Sequence, residues 1–270
     1  MNGPGAPTFV VCHARSGSTL MRYLLDSHPE LVCPPELHLG RLIVELKRIN
    51  STAYGNRVEY SDATLRERII LSRVRESIDG IMSRICLESK KKAWCEKSVS
   101  TLTYLDLISK VYPDARYICL YRNCLDFVHS AIEARRFGEG YGWEEYLQSR
   151  GSHPVVDSLV EFWCERTRAI LDFETVNAQR CLAVKYEAFV SDAESTCRKV
   201  FDFIGVPSGD GHVDRMFQVW HQVGPGDCKI LRTRKVETRS VGRGRKIPLQ
   251  DILPATREQM NGLLKLLSYD

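Results

Sequence analysis

Short apolar runs alternate along this chain with longer stretches in which apolar residues recur every three or four positions. The first run, Thr8-Phe9-Val10-Val11-Cys12, is apolar and rich in β-branched residues without polar alternation. That is the pattern of a strand covered on both faces. Small and polar residues from His13 to Gly17 break it. From Ser18 onward Leu20, Met21, Leu24 and Leu25 fall at helical spacing. The first thirty residues therefore predict strand, polar loop, helix.

The pattern repeats. Further strands are predicted at 93–95, ending in Glu96-Lys97-Ser98, and at 116–121 and 181–185. Helices are predicted over 41–49, 64–88, 102–111, 125–134, 156–175 and 195–204, the last closed by Gly205 and Pro207. In the 64–88 helix the expected apolar stripe is Leu65, Ile69, Val74, Ile78, Ile81 and Ile85. Four strands separated by helices predict an α/β fold: a P-loop-like parallel β-sheet flanked by helices on both faces, with right-handed connections. Neither a repeat nor a low-complexity tract divides the chain, so a single domain over residues 1–270 is expected.

Composition narrows the class. At 270 residues, 43% hydrophobic and 27% charged, the chain resembles an ordinary globular protein. It buries enough surface to need no covalent staple. Ten cysteines contain no C-x-x-C pair, and several lie inside apolar runs, so reduced, buried thiols are expected rather than zinc ligands or disulfides. No basic-then-apolar leader opens the sequence and no apolar run reaches the roughly 18 residues of a membrane span. A cytoplasmic protein, with no membrane partner, is expected. The net charge of +4 permits an anionic ligand and does not call for nucleic acid. One segment is locally basic. Residues 229–246 hold eight basic residues (Lys229, Arg232, Arg234, Lys235, Arg239, Arg243, Arg245, Lys246) against Glu237, interrupted by Gly242 and Gly244. It reads either as a solvated basic loop or as a glycine-containing clamp on a polyanion.

The first strand-to-helix loop, Cys12-His13-Ala14-Arg15-Ser16-Gly17-Ser18-Thr19, points to phosphate. Unpaired N–H groups and the positive dipole end mark a helix start. Gly17 permits close approach, Ser18 and Thr19 add hydroxyl donors, and Arg15 adds a forked cation. Against the nucleotide pattern G-x-x-x-x-G-K-[ST], Cys12 replaces the first glycine and Ser18 the lysine. No acidic strand end suits magnesium. A nucleotide carrying a 5′-phosphate, without a metal, fits better than an ATP or GTP engine.

The run from Phe9 to Glu30, including Arg15-Ser16-Gly17-Ser18-Thr19, resembles the loop with which the sulfotransferase superfamily holds 3′-phosphoadenosine 5′-phosphosulfate (PAPS). It is closer to the bacterial and tyrosylprotein branch than to the cytosolic phenol and steroid enzymes. Tyr121-Arg122-Asn123-Cys124-Leu125-Asp126-Phe127-Val128-His129-Ser130 resembles that family's 3′-phosphate segment, which implies that Arg122 and Ser130 converge on one dianion. Val241-Gly242-Arg243-Gly244-Arg245 resembles a stretch that closes over the nucleotide in bacterial members, with Thr233 upstream. The likeness runs from about residue 8 to the C-terminus and is weakest between 40 and 92, where helical insertions for the acceptor are expected.

The resemblance implies an enzyme that moves a sulfuryl group from PAPS to a hydroxyl, leaving adenosine 3′,5′-bisphosphate. Glu36 is the implied base, with His38 as the alternative. Lys97 is implied to stabilise the transition state, and Arg15 the charge on the 5′-phosphosulfate. The expected nucleotide site comprises Arg15, Ser16, Gly17, Ser18, Thr19, Arg122, Ser130, Tyr186, Thr233, Ser240, Val241, Gly242, Arg243 and Gly244. His129 is expected to pack, or to support the residues that touch the ligand, rather than to react. The acceptor is expected to be a hydroxylated small molecule, such as a natural product. Two other functions compete: a P-loop small-molecule kinase, which needs Mg²⁺ and usually the missing lysine, and a non-catalytic nucleotide- or polyanion-binding module.

Overall fold

The 8–12 run becomes β1 (Thr8–Val11), whose side chains alternate between two separate cores. Phe9 and Val11 join one apolar cluster, while Val10, with Cys12 just beyond the strand, joins the other. Burial on both faces is why the run is apolar throughout. The computed structural model describes residues 6–55, 62–136, 142–224, 230, 233 and 235–269. After β1 come α1 (Ser18–Ser27), β2 (Leu31–Val32), α2 (Leu39–Tyr54), α3 (Ala63–Glu88) and β3 (Ala93–Lys97). A 3-10 segment, Val99–Tyr104, leads into α4 (Leu105–Val111), β4 (Arg116–Tyr121) and α5 (Cys124–Arg135). The chain continues through α6 (Glu144–Ser149), α7 (Val155–Val176), β5 (Cys181–Lys185), α8 (Tyr186–Ser191), α9 (Ala193–Ile204), α10 (His212–Gln218) and α11 (Pro254–Leu266).

Among the described residues the strands form one parallel sheet in the order β2-β3-β1-β4-β5. This is the α/β architecture expected, with helices on both faces. Ile43, Val74, Ile108, Phe127, Trp163 and Leu263 cover the Phe9 face, from α2, α3, α4, α5, α7 and α11. Leu24, Phe189, Val200 and Met216 cover the Val10 face, from α1, α8, α9 and α10. The central strand β1 lies between β3 and β4, so the winding reverses there. Ligand crevices open beyond the carboxyl ends of strands at such a reversal. The loops after β1, β3, β4 and β5 all leave from that end.

Several elements differ from expectation. A fifth strand, β2, pairs with β3 at the sheet edge through two residues, too few to show a period. In α3 the buried stripe is Ile70, Val74, Ile78, Met82 and Cys86, while Leu65 and Ile81 are exposed. A strict four-residue step follows the packed face, whereas the apolar residues of the sequence wander across it. The 102–111 helix begins instead as the 3-10 segment. Helix α11 was not expected; Thr256, Met260 and Leu263 bury one side of it. Fully buried Asp157 of α7 anchors its start, taking Leu253 N–H at 2.7 Å and the Thr256 hydroxyl at 3.3 Å. The nine described cysteines are unpaired thiols, eight of them buried; Cys228 lies outside the described residues. No helix among the described residues is long and apolar enough to cross a membrane.

Candidate functional site

After β1 the backbone turns into α1 through two left-handed residues, Arg15 at φ 65° and Gly17 at φ 88°. A side chain at Gly17 would collide with the ring of Tyr186, so both the φ and the close approach call for glycine. Arg15 holds its conformation at a cost of about 1–2 kcal/mol. Its carbonyl is pinned by Arg122 Nη1, which donates at 2.6 Å. The Ser16 hydroxyl donates inward to the His13 carbonyl at 2.7 Å. His13 is buried beneath the loop, edge-on to Phe127 at 4.9 Å, with Nδ1 2.8 Å from the Ala14 carbonyl. Burial pushes the His13 imidazole down to about 4, so the ring is neutral. Burial likewise pushes the Cys12 thiol up to about 12, with nearby Lys97 pulling the other way.

Beyond the loop lies a cavity of about 450 Å³. Arg15, Gly17, Arg122, Ser130, Tyr186, Thr233, Ser240 and Arg243 line it, bringing together residues from the ends of three strands and from the basic segment. Five cations line it (Arg15, Arg122, Lys235, Arg239, Arg243) against Glu133 and Glu237, so it favours an anion. Arg122 is 6% exposed. Its carbonyl accepts the Trp163 Nε1–H at 2.9 Å, and its guanidinium lies over the Tyr186 ring at 4.6 Å. Arg122 Nη2 donates to the Ser240 carbonyl at 3.2 Å, and the Tyr186 and Ser240 hydroxyls meet at 2.5 Å. Arg15 Nε donates to Ser130 Oγ at 3.2 Å. Arg122 Nε is buried with no hydrogen-bond partner among the described residues. A buried donor left open costs about 1–3 kcal/mol, and an anionic oxygen would satisfy it. The residues present therefore fit a phosphate group.

Not every expected nucleotide residue faces this space. Ser16, Ser18 and Thr19 belong to the loop and the first turn of α1 but do not line the cavity, and neither do Val241, Gly242 and Gly244. The two glycines tether the segment instead. Their N–H groups donate to the two carboxylate oxygens of Asp126, at 2.7 and 2.6 Å. A side chain at Gly244 would collide with Leu125. Arg243 Nη2 donates to Glu133 Oε1 at 2.8 Å. Asp126 and Glu133, both on α5, do not stand out in the sequence. Their partners are more than 100 residues away, and no local spacing reveals them. Lys229, Arg232 and Arg234 of the basic segment lie outside the described residues.

Glu36, Lys97 and His38 form a second group. Lys97 ends β3 opposite Val10, and its Nζ donates to Glu36 Oε1 at 2.6 Å. The side chains are 2% and 9% exposed, so neither is a solvated surface group. Glu36 Oε2 also accepts the Val99 N–H at 3.4 Å. His38, two residues on, takes a left-handed turn at the start of α2, its Nδ1 2.8 Å from Ser100 Oγ. Electrostatically the group reaches the loop after β1: Lys97 and Glu36 both act on Cys12, which opens it.

Over 204 residues the chain is 28% identical to the protein-tyrosine sulfotransferase of Drosophila melanogaster, covering 73% of this chain and 37% of the relative. Protein-tyrosine sulfotransferase 1 of Danio rerio is 25% identical over 198 residues, covering 73% of this chain and 52% of its own length. The chain thus spans about half or less of these relatives. Among solved structures, the sulfotransferase domain from the Synechococcus PCC 7002 olefin synthase superposes with a TM-score of 0.65 at 24% identity, covering 100% of this chain and 97% of that one. The sulfotransferase domain from the curacin biosynthetic pathway gives 0.70 at 19% identity, covering 99% and 98%. Those two show that the fold is shared. The model of the sulfotransferase family itself matches residues 7–210, from β1 past the end of α9, and by that match the chain belongs to the sulfotransferase family.

Proposed function

We propose that this chain is a PAPS-dependent sulfotransferase acting on a hydroxyl of a small-molecule acceptor, folded as one domain over 1–270 and working in the cytoplasm. Support comes above all from Arg122, a buried guanidinium whose Nε–H has no partner among the described residues, in a cationic cavity at the sheet's switch point. Arg122 and Ser130 hold the 3′-phosphate, and Arg15 with the loop amides holds the 5′ end. Tyr186 lies against the nucleoside, and Thr233, Ser240 and Arg243 close the other side. PAPS supplies the sulfuryl group.

Glu36 takes the proton from the acceptor hydroxyl as its oxygen bonds to sulfur and the sulfur–oxygen bond to the bisphosphate breaks. Once that proton neutralises Glu36, Lys97 is released from the pair and can face the charge growing on the transferred group. His38 supports the acceptor side of the site. Unpaired thiols throughout the described residues fit a reducing compartment. A second reading, a tyrosine hydroxyl of a peptide or protein as acceptor, is favoured by the names of the curated relatives.

The test incubates the chain with PAPS and two acceptor panels, hydroxylated small molecules and tyrosine peptides, and follows the gain of SO₃ by mass spectrometry. Gain on the first panel supports the small-molecule acceptor, and gain on peptides alone transfers the assignment to the second reading. Adenosine 3′,5′-bisphosphate should raise the melting temperature far more than 5′-AMP. Equal shifts would remove the 3′-phosphate assignment.

A further inference from the structure

Glu96 immediately precedes Lys97 on β3, and strand alternation sends its side chain to the opposite face of the sheet, where Trp94 packs. It is 1% exposed, a carboxylate with no place in the chemistry described above. Its two oxygens take the hydroxyls of Ser98 and Thr101, the latter at 2.7 Å. Ser98 Oγ simultaneously accepts the His38 N–H at 2.9 Å, so its single proton is committed to Glu96. Burial raises the Glu96 carboxyl, while the two hydroxyls and Lys97 draw it back toward the ionised form.

The turn that Glu96 holds is the one that shapes the base. Residues 98, 99 and 100 each reach across to the 36–38 segment: Ser98 to the His38 N–H, Val99 N–H to Glu36 Oε2, and Ser100 to the His38 ring. His38 sits at φ 52°, which a histidine keeps only where its surroundings impose it.

We propose that Glu96 is a positioning residue for Glu36: through Ser98 and Thr101 its carboxylate fixes the 98–101 turn, and that turn fixes the His38 backbone and the Glu36 carboxylate. Glu96 touches neither nucleotide nor acceptor. The role rests on Glu36 being the base.

A double-mutant cycle tests it, with turnover of a phenol acceptor and calorimetric affinity for adenosine 3′,5′-bisphosphate as readouts. Glu96→Gln should lower kcat about tenfold and leave bisphosphate affinity within about twofold. Because Glu96 acts through Glu36, the double variant should be no slower than Glu36→Gln alone. A further tenfold loss in the double variant overturns the positioning role while leaving the base assignment standing. Near-full kcat in Glu36→Gln overturns the base assignment, and the positioning role with it. Should Glu96→Gln fail to fold, Ser98→Ala takes its place in the cycle. Ser98→Ala also gives a readout without turnover: amide exchange at His38 in the free protein should speed up about tenfold or more. Unchanged exchange at His38 overturns the relay.

Discussion

The cationic cavity and the buried Glu36–Lys97 pair treat charge in opposite ways. In the cavity five cations face two acids, and the most buried of those cations, Arg122, has an N–H without a partner among the described residues. In the pair, Glu36 and Lys97 are both nearly sealed from water and hydrogen-bonded to each other at 2.6 Å. One region is preset to receive charge from outside, and the other balances its charge internally. On the function proposed above, the difference separates binding from chemistry. The cavity can attract a bisphosphate in the free protein, while the base and the transition-state cation hold each other ready until an acceptor proton parts them.

The strongest way to break this contrast is at the pair. Lys97→Met leaves Glu36 a poorly solvated carboxylate without its cation, and breaking a buried pair typically costs about 3–5 kcal/mol. Urea unfolding of wild type and variant should show that loss, with bisphosphate affinity little changed. A loss under about 1 kcal/mol would rank the pair with screened surface bridges and erase the contrast.

Beneath the β1–α1 loop, the neutral His13 gives the next largest effect. Its folded-state value, about 4, lies below the ordinary 6.5, so between those pH values the unfolded chain binds the extra proton. Stability from this group is therefore fully present above pH 6.5 and is lost as pH falls toward 4. At roughly 1.4 kcal/mol per pH unit the loss is about 3 kcal/mol. His13→Gln should remove that part of the acid destabilisation. Parallel pH–stability curves for the two proteins would show that the loop does not depend on a neutral ring.

What was legible in the sequence follows the same division. The β1–loop–α1 unit could be read because an apolar run, a glycine and a periodic stretch are local features. Arg122 and Ser130 could be matched because they are eight residues apart on one strand–helix junction, and they do line one cavity. Glu36 and Lys97 were named separately from the family likeness, but their pairing spans 61 residues and no period encodes it. Glu96 does not stand out in the sequence, because three polar residues at a strand end look alike until burial sorts them. The same holds for Asp126, whose carboxylate tethers Gly242 and Gly244. Strand β2 and helix α11 escaped for the plainer reasons of length and weak apolar contrast.

Within the cavity a smaller effect sharpens the picture. Arg122→Ala removes a buried donor and should weaken bisphosphate binding by about 1.5–3 kcal/mol. Arg243→Ala should weaken it by less than about 1 kcal/mol, because that side chain is 38% exposed and already held by Glu133. Calorimetry on both variants gives the ranking. The reverse order would make the basic segment, rather than the β4 end, the principal anchor.

The most direct measurement of the division is made on Glu36→Gln, which keeps the size of the side chain and removes the proton acceptor. Bisphosphate affinity and kcat are measured on the same preparation, the latter against phenols of differing acidity. The account predicts affinity within about twofold of wild type, kcat lower by about 10²–10⁴-fold, and partial recovery with the most acidic phenols, which need the least help in losing a proton. Near-full kcat in Glu36→Gln, together with a dead His38→Ala, would contradict it and move the base to the histidine.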